Sequence, residues 1–464
     1  MSASGPRPRV AIVGAGPAGA FAAAHLLAGT GGPEVDLFER LPTPWGLLRG
    51  GVAPDHHEIK RLDRSFDRDV LDRPHCRFFG NVEVGTDISH SDLVRHYTAV
   101  VYAIGAQTDK SLGIPGEDLP GSLPATDFVG WYNGHPDRRE LAPDLSGERA
   151  VVIGNGNVAA DVARMLTLDA GELERTDVAD HALEALRQSS IAEVVVLGRR
   201  GPAQAAFTSA ELRELGHLDG VDLRIDPAEV ELDPVSEEWL ASEGTFTARR
   251  NLELLREFAD RAPGPDATRR IELRFLRSPV EVLGSARVEG VKVRPNRIER
   301  DDDGSLRARP LDEEPEMIEC GLLLRSVGYQ AVPLPDVPFD ERRYVLPNQL
   351  GRVFDPSSGE TVPGVYAVGW IKRGPTGILG TNKRDAQETV ACLEKDLEAG
   401  VLARPANPRR EQIDGLLAET VPQMVTAEGW RSIDELERER GLREERPRVK
   451  LASLEELLSA GDTR

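Results

Sequence analysis

Two doubly wound domains of the α/β class, one inserted into the other, are predicted by three features of this 464-residue sequence. Residues 10–25 read VAIVGAGPAGAFAAAH, an apolar strand, a glycine turn and the start of a helix. Residues 151–166, VVIGNGNVAADVARML, repeat that order, and VYAVGW at 365–370 supplies a late buried strand running into the glycine loop RGPTGILG. A strand, a G-x-G-x-x-G/A turn and a helix together form the Rossmann-like dinucleotide-binding unit. The late strand and loop resemble those of the first domain, so the reading is one dinucleotide domain, residues 1–108 and 331–464, interrupted by a second at 109–330.

The elements follow in order. RVAIV (9–13), VDLF (35–38) and AVVYAI (99–104) are short apolar runs expected as buried parallel strands, with an alanine-rich helix at 17–27 between the first two. GIPGEDLPG after Gly105 is a Pro/Gly connection. The second unit opens with AVVI at 150–153, a helix over 157–168, an acidic helical excursion through 188 and the strand EVVVLG at 193–198. Residues 270–300 alternate in polarity, as half-exposed antiparallel strands do, and DDDG at 301–304 reads as a hairpin turn before the strand LLLRSV at 322–327. A helix is expected over 382–398. The last sixty residues, rich in Arg and Glu, carry amphipathic stretches expected as surface helices.

A formal net charge of −21 disfavours binding to nucleic acid or to anionic membranes, which reward clustered positive charge. The apolar run from Val10 is broken by Gly14, Gly16, Pro17 and Gly19, so no membrane span is expected. MSASGPRPR lacks the apolar core of an export signal, and Cys76, Cys320 and Cys392 stand far apart, so the reading is a reduced, cytoplasmic protein without a metal site.

Gly14, Gly16 and Gly19 supply the tight turn, the close backbone approach to a pyrophosphate and the close helix packing of the first fingerprint. Glu39 follows at the end of the second strand, where a carboxylate accepts ribose hydroxyls. The second turn is Gly154, Gly156 and Ala159, and the residues at the end of its next strand are Arg199 and Arg200 instead of an acid. Two guanidiniums suit a dianionic 2′-phosphate that a carboxylate would repel. The first turn therefore suits FAD and the second NADP, and two dinucleotides in one chain imply hydride transfer between them. No cysteine pair is available to a flavin, and only Cys76 precedes the second turn, which leaves neither disulfide chemistry nor an iron-sulfur cluster in the chain.

PTPWGLLRGGVAPDHHEIK (42–60), FFGNVEVG (78–85), VIGNGNVAADVARML (152–166), GRRGPAQAAFTSAELREL (198–215) and VGWIKRGPTGILGTNKRDAQETV (368–390) together resemble the adrenodoxin-reductase type of ferredoxin-NADP reductase, including its actinobacterial members. The resemblance implies electrons passing from NADPH to FAD and then singly to a ferredoxin-type iron-sulfur protein. It implies FAD contacts at Ala18, Glu39, Leu47, Val84, Trp370, Gly377, Ile378 and Leu379. It implies NADP contacts at Asn155, Gly156, Asn157, Val158, Arg199, Arg200, Glu211 and Gly377, and it places His56 and Glu214, as candidate proton handlers, near the reacting rings. The chain has His57 where family members commonly have proline, and Trp370 where many two-dinucleotide flavoproteins have aspartate. Arg213, Lys372, Arg373, Lys383 and Arg384 are the candidate docking cations for an acidic ferredoxin, in a transient electrostatic complex. An NADPH oxidase or diaphorase, a flavin oxygenase and a noncatalytic NADP sensor remain alternative readings.

Overall fold

The structure, a computed structural model, describes residues 7–29, 31–262, 264, 266–377 and 379–463. The chain divides into two compact units, one made of Met1–Thr108, Asn133–Asp137 and Tyr329–Arg464, the other of Asp109–Tyr132 and Arg138–Gly328. The short return to the first unit at Asn133–Asp137 carries no sequence signal of a break.

The first unit is built on a seven-stranded sheet. Its parallel centre runs Thr361–Ala367, Ala99–Tyr102, Arg9–Val13, Glu34–Glu39 and Cys76–Gly80, and two short antiparallel strands, Asn348–Gln349 and Arg352–Phe354, extend one edge. Every residue of Arg9–Val13 is buried because the sheet is covered on both sides. Val10, Ile12, Val35, Leu37 and Val101 face one apolar cluster, and Ala11, Val13, Phe38, Val100 and Tyr102 face the other. Helix Pro17–Leu27 buries Ala20, Ala22 and Ala23, and these small side chains let it pack closely beside helix Leu379–Glu398.

The second unit holds a six-stranded parallel sheet in the order Ser122–Pro124, Leu322–Arg325, Arg149–Ile153, Glu193–Leu197, Arg269–Arg274, Val221–Arg224. The antiparallel reading of 270–300 is corrected at its start. Arg269–Arg274 pairs in parallel on both sides, and the antiparallel layer begins with Arg277–Leu283, which pairs with Gly290–Arg300. DDDG does turn the next hairpin: Gly304 N donates to Asp301 O at 2.9 Å, with Gly304 at φ +82°.

The C-terminal helices Arg410–Thr420, Ala427–Arg443 and Leu454–Gly461 are more than the expected surface cover. They bury Ile413, Leu417, Trp430, Ile433 and Leu457 in the two clusters of the first unit. Among the described residues no helix is long and apolar enough to cross a membrane. Cys76, Cys320 and Cys392 are free thiols.

Candidate dinucleotide sites

In the first unit the turn between Arg9–Val13 and helix Pro17–Leu27 separates two kinds of glycine. Gly14 has φ +99°, and a Cβ there would lie 2.6 Å from Ala103 O; a Cβ on Gly19 would lie 2.0 Å from Gly14 O. Packing of the chain on itself explains both. Gly16 is different: its φ is −69°, and the nearest atom to a Cβ, Gly46 Cα, is 3.8 Å away. The missing side chain leaves an open cradle at the start of a helix with no side-chain cap, which is where backbone N–H groups accept a phosphate.

Glu39 is half-buried, and its Oε2 and Oε1 accept the N–H groups of Ala15 (2.9 Å) and Leu41 (3.1 Å). Burial pushes its carboxyl upward against the pull of those bonds. A carboxylate offers about four lone-pair sites, so two remain for hydroxyl donors. Ala18 is buried against Gly369, where a Cβ would come within 2.5 Å of the Ala18 Cβ. Val84 is buried, and Leu47, 38% exposed, begins the single helical turn Leu47–Gly50.

Trp370 stacks obliquely on Tyr329 with centroids 4.9 Å apart, and its buried Nε1 has no hydrogen-bond partner among the described residues. Gly377 adopts φ +82°, Leu379 opens the long helix Leu379–Glu398, and Ile378 lies outside the described residues. His56 is half-buried at the start of the turn His57–Lys60. Sequence reasoning did not single out Trp45 and Gly46, which pack on the first glycine turn. Trp45 N donates to Ala15 O at 2.9 Å, and Gly46 lies directly on Gly16, which seats this loop on the first glycine turn.

The second unit repeats the cradle. Gly154 has φ +138°, and its Cβ would strike Ser326 O at 2.1 Å, while a Cβ on Gly156 would meet nothing nearer than Ala206 Cβ at 3.8 Å. Gly156 precedes helix Asn157–Thr167, again without a side-chain cap. Asn155 Nδ2 is buried with no partner among the described residues, and Val158 is half-buried at the helix start. The Asn157 side chain is committed elsewhere, its Oδ1 accepting Thr208 N at 2.8 Å.

Arg199 and Arg200 are exposed, and among the described residues neither forms an ion pair. Their backbone is held, Asn296 Nδ2 donating to Arg199 O at 2.7 Å and Leu276 N to Arg200 O at 3.1 Å. Partial burial, with the neighbouring Arg199 charge, holds the Arg200 guanidinium below its ordinary value, a strain that a dianion would relieve. Glu211 and Glu214 share one partner that sequence reasoning also missed. The guanidinium of Arg164, 2% exposed, lies 3.4 Å from Glu211 Oε2, 3.5 Å from Glu214 Oε2 and 2.8 Å from Asp161 Oδ1. Its spacing from Asp161 is an i,i+3 pair visible in the sequence; its burial is not.

Of the candidate docking cations, Lys372 is corrected. Its ammonium is buried between Asp385 Oδ1 (2.9 Å) and Glu388 Oε2 (2.6 Å), because it anchors the Trp370–Arg373 turn to the following helix. Arg373 is half-buried and bonded to Asn382 Oδ1, whereas Arg213, Lys383 and Arg384 are exposed.

Two sheets with parallel centres, each carrying an open glycine cradle at a bare helix N-terminus, define an oxidoreductase of the two-dinucleotide flavoprotein class. Residues 8–196 match the family model for pyridine nucleotide-disulphide oxidoreductases. The chain is 50% identical over 461 residues to the NADPH-ferredoxin reductase FprA of Mycobacterium tuberculosis, covering 97% of this chain and 98% of that one. It is 42% identical to the mitochondrial NADPH:adrenodoxin oxidoreductase of Salvelinus fontinalis, over 97% and 90% of the two chains. The solved structure of M. tuberculosis FprA in complex with NADPH superposes with a TM-score of 0.91 at 49% identity, over 98% of this chain and all of that one. The chain belongs to the adrenodoxin-reductase type of ferredoxin-NADP reductases.

Proposed function

We propose that this protein is an FAD-dependent ferredoxin-NADP reductase that draws electrons from NADPH and delivers them to a ferredoxin-type iron-sulfur protein. The observation that carries it is the contrast between the two cradles: a carboxylate, Glu39, stands beside the first and two unpaired arginines stand beside the second. The acid suits a ribose with free hydroxyls, and the arginines suit one that bears a 2′-phosphate. When bound, the flavin accepts hydride from the nicotinamide and releases electrons one at a time.

The residues of the chain bind and orient. In this reading residues 1–108 and 331–464 form the FAD domain and residues 109–330 the NADP domain. Gly14, Gly16, Ala18 and Gly19 bring backbone donors to the FAD pyrophosphate, Glu39 takes its ribose, and Leu47, Val84, Trp370, Gly377 and Leu379 line the remainder. Trp370 Nε1 and Asn155 Nδ2, buried without a partner among the described residues, supply donors to the cofactors. Asn155, Gly156, Asn157 and Val158 take the NADP pyrophosphate, and Arg199 and Arg200 take the 2′-phosphate. Glu211 and Gly377 lie toward the nicotinamide, with His56 and Glu214 as proton handlers. The ferredoxin docks transiently on exposed cations including Arg213, Lys383 and Arg384. The charge of −21 supports a protein that binds neither nucleic acid nor membranes, and the free thiols support a cytoplasmic location.

Anaerobic rapid mixing with NADPH and with NADH, following the oxidised flavin band, tests this reading. NADPH is expected to bleach the flavin faster, and Arg199→Ala or Arg200→Ala to cut that preference by roughly 10- to 100-fold, the value of one or two charge-assisted hydrogen bonds. Flavin that neither nucleotide reduces would leave only the sensing alternative.

A further inference from the structure

The loop that covers the first glycine turn is poorly able to hold its own shape. Trp45 has φ +78°, a left-handed conformation unfavourable for a bulky side chain. The helix that follows, Leu47–Gly50, is a single turn, too short to be stable by itself. Yet Gly46 sits so close to Gly16 that a Cβ on it would come within 2.9 Å of the Gly16 Cα.

What fixes this loop comes from the far end of the chain. Arg49 Nη1 and Nη2 donate to Glu437 Oε2 and Oε1 at 2.7 and 2.5 Å, a forked pair between residues 388 positions apart. Glu437, wholly buried in helix Ala427–Arg443, also accepts Arg448 Nη1 at 3.1 Å and Leu451 N at 2.8 Å. The Arg49 carbonyl accepts Lys60 Nζ at 3.4 Å and Lys450 Nζ at 3.2 Å. Desolvation absorbs most of the attraction in a buried ion pair, so apolar residues of the same size would serve stability as well. A fully bonded buried fork instead fixes one position.

We propose that Glu437, acting through Arg49, is a positioning residue for the flavin: it locks the Trp45–Gly50 loop against Gly16 and so closes one side of the pyrophosphate cradle. The proposal rests on the assignment of FAD to the first turn. Asp434 provides the control. It belongs to the same helix and bonds Arg438 and the Arg448 that it shares with Glu437, at 2.7 and 2.8 Å, so its loss disturbs the buried network while leaving the Arg49 fork in place.

The test is the rate at which purified holoenzyme releases FAD on dilution, read as the rise in flavin fluorescence, with the visible circular dichroism of the bound flavin as a second readout. Arg49→Met is expected to speed release at least tenfold and to alter the flavin dichroism. Arg49→Lys, which keeps the charge but loses the fork, should fall between Arg49→Met and the unaltered protein. Asp434→Asn should lower the melting temperature yet leave release within twofold. Release within twofold in both Arg49 variants, or equal acceleration by Asp434→Asn, overturns the proposal. If Arg49→Met does not fold, Arg49→Lys decides on the same twofold limit. Unaltered protein purified without flavin would sink the FAD assignment itself, a result separate from any of these.

Discussion

Alanine at Gly16 and alanine at Gly19 should fail in opposite ways. At Gly16 the backbone is extended and the space is open, so Gly16→Ala is expected to leave stability within about 0.5 kcal/mol while weakening FAD retention at least tenfold, because the methyl group occupies the cradle. At Gly19 a Cβ would sit 2.0 Å from a carbonyl oxygen, so Gly19→Ala should cost several kcal/mol of stability, as a strained core substitution does. Thermal unfolding and flavin content measured on both variants separate the two roles. Asp67 makes a second residue-level prediction. Burial, with Asp434 and Asp63 nearby, raises its carboxyl from an ordinary 3.8 to about 6, although Trp430 Nε1 donates to it at 3.1 Å. A carboxyl raised in the folded state costs stability above its folded pKa, and the cost fades as pH falls toward the unfolded value. Asp67→Asn should therefore stabilise the protein by about 1–2 kcal/mol at pH 8, a figure discounted for partial exposure, and by progressively less from pH 6 down to pH 4. Denaturant titrations across that range would detect it, and a gain that grew on acidification would contradict the assigned cause.

Among the elements, those whose pattern is local were legible in the sequence. RVAIV and AVVI are buried on both faces, so their apolar runs are unbroken, and the glycine turns follow them directly. Arg269–Arg274 was misread because Ile271 and Leu273 alternate with Arg270, Glu272 and Arg274, and alternation does not reveal whether the partner strand runs parallel. The role of helix Ala427–Arg443 was hidden for a different reason. Glu437 resembles its solvated neighbours in composition, and its place as a buried anchor depends on partners beyond its helix, one of them 388 residues away. The glycine fingerprint and the arginine pair stand out by spacing alone, whereas Trp45, Gly46 and Arg164 come beside them through packing that no spacing announces. The helix Leu379–Glu398 carries its own prediction. Lys383→Glu and Arg384→Glu should weaken ferredoxin reduction several-fold at low ionic strength and progressively less as salt rises. Lys372→Met should instead lower the melting temperature, since it strands Asp385 beside an apolar stem. Ferredoxin affinity independent of salt would remove the electrostatic surface from the account.

For the molecule as a whole, the strand pairing Val100↔Val365 carries a consequence in time. The six parallel strands of the second unit all lie between Ser122 and Arg325, so that sheet is complete in sequence before the first unit has its last parallel strand, Thr361–Ala367. Until that strand leaves the ribosome, Ala99–Tyr102 has a bare, wholly apolar edge, the kind of exposed strand that invites mispairing. Released chains truncated near residue 340 are expected to protect the second unit from protease and to retain no flavin, which limited proteolysis and flavin fluorescence of the truncated protein would measure. Biosynthesis thus has an order that the finished fold conceals: the second unit has all its sheet strands early, and its growing neighbour remains a chaperone's concern until about four-fifths of the chain has been made.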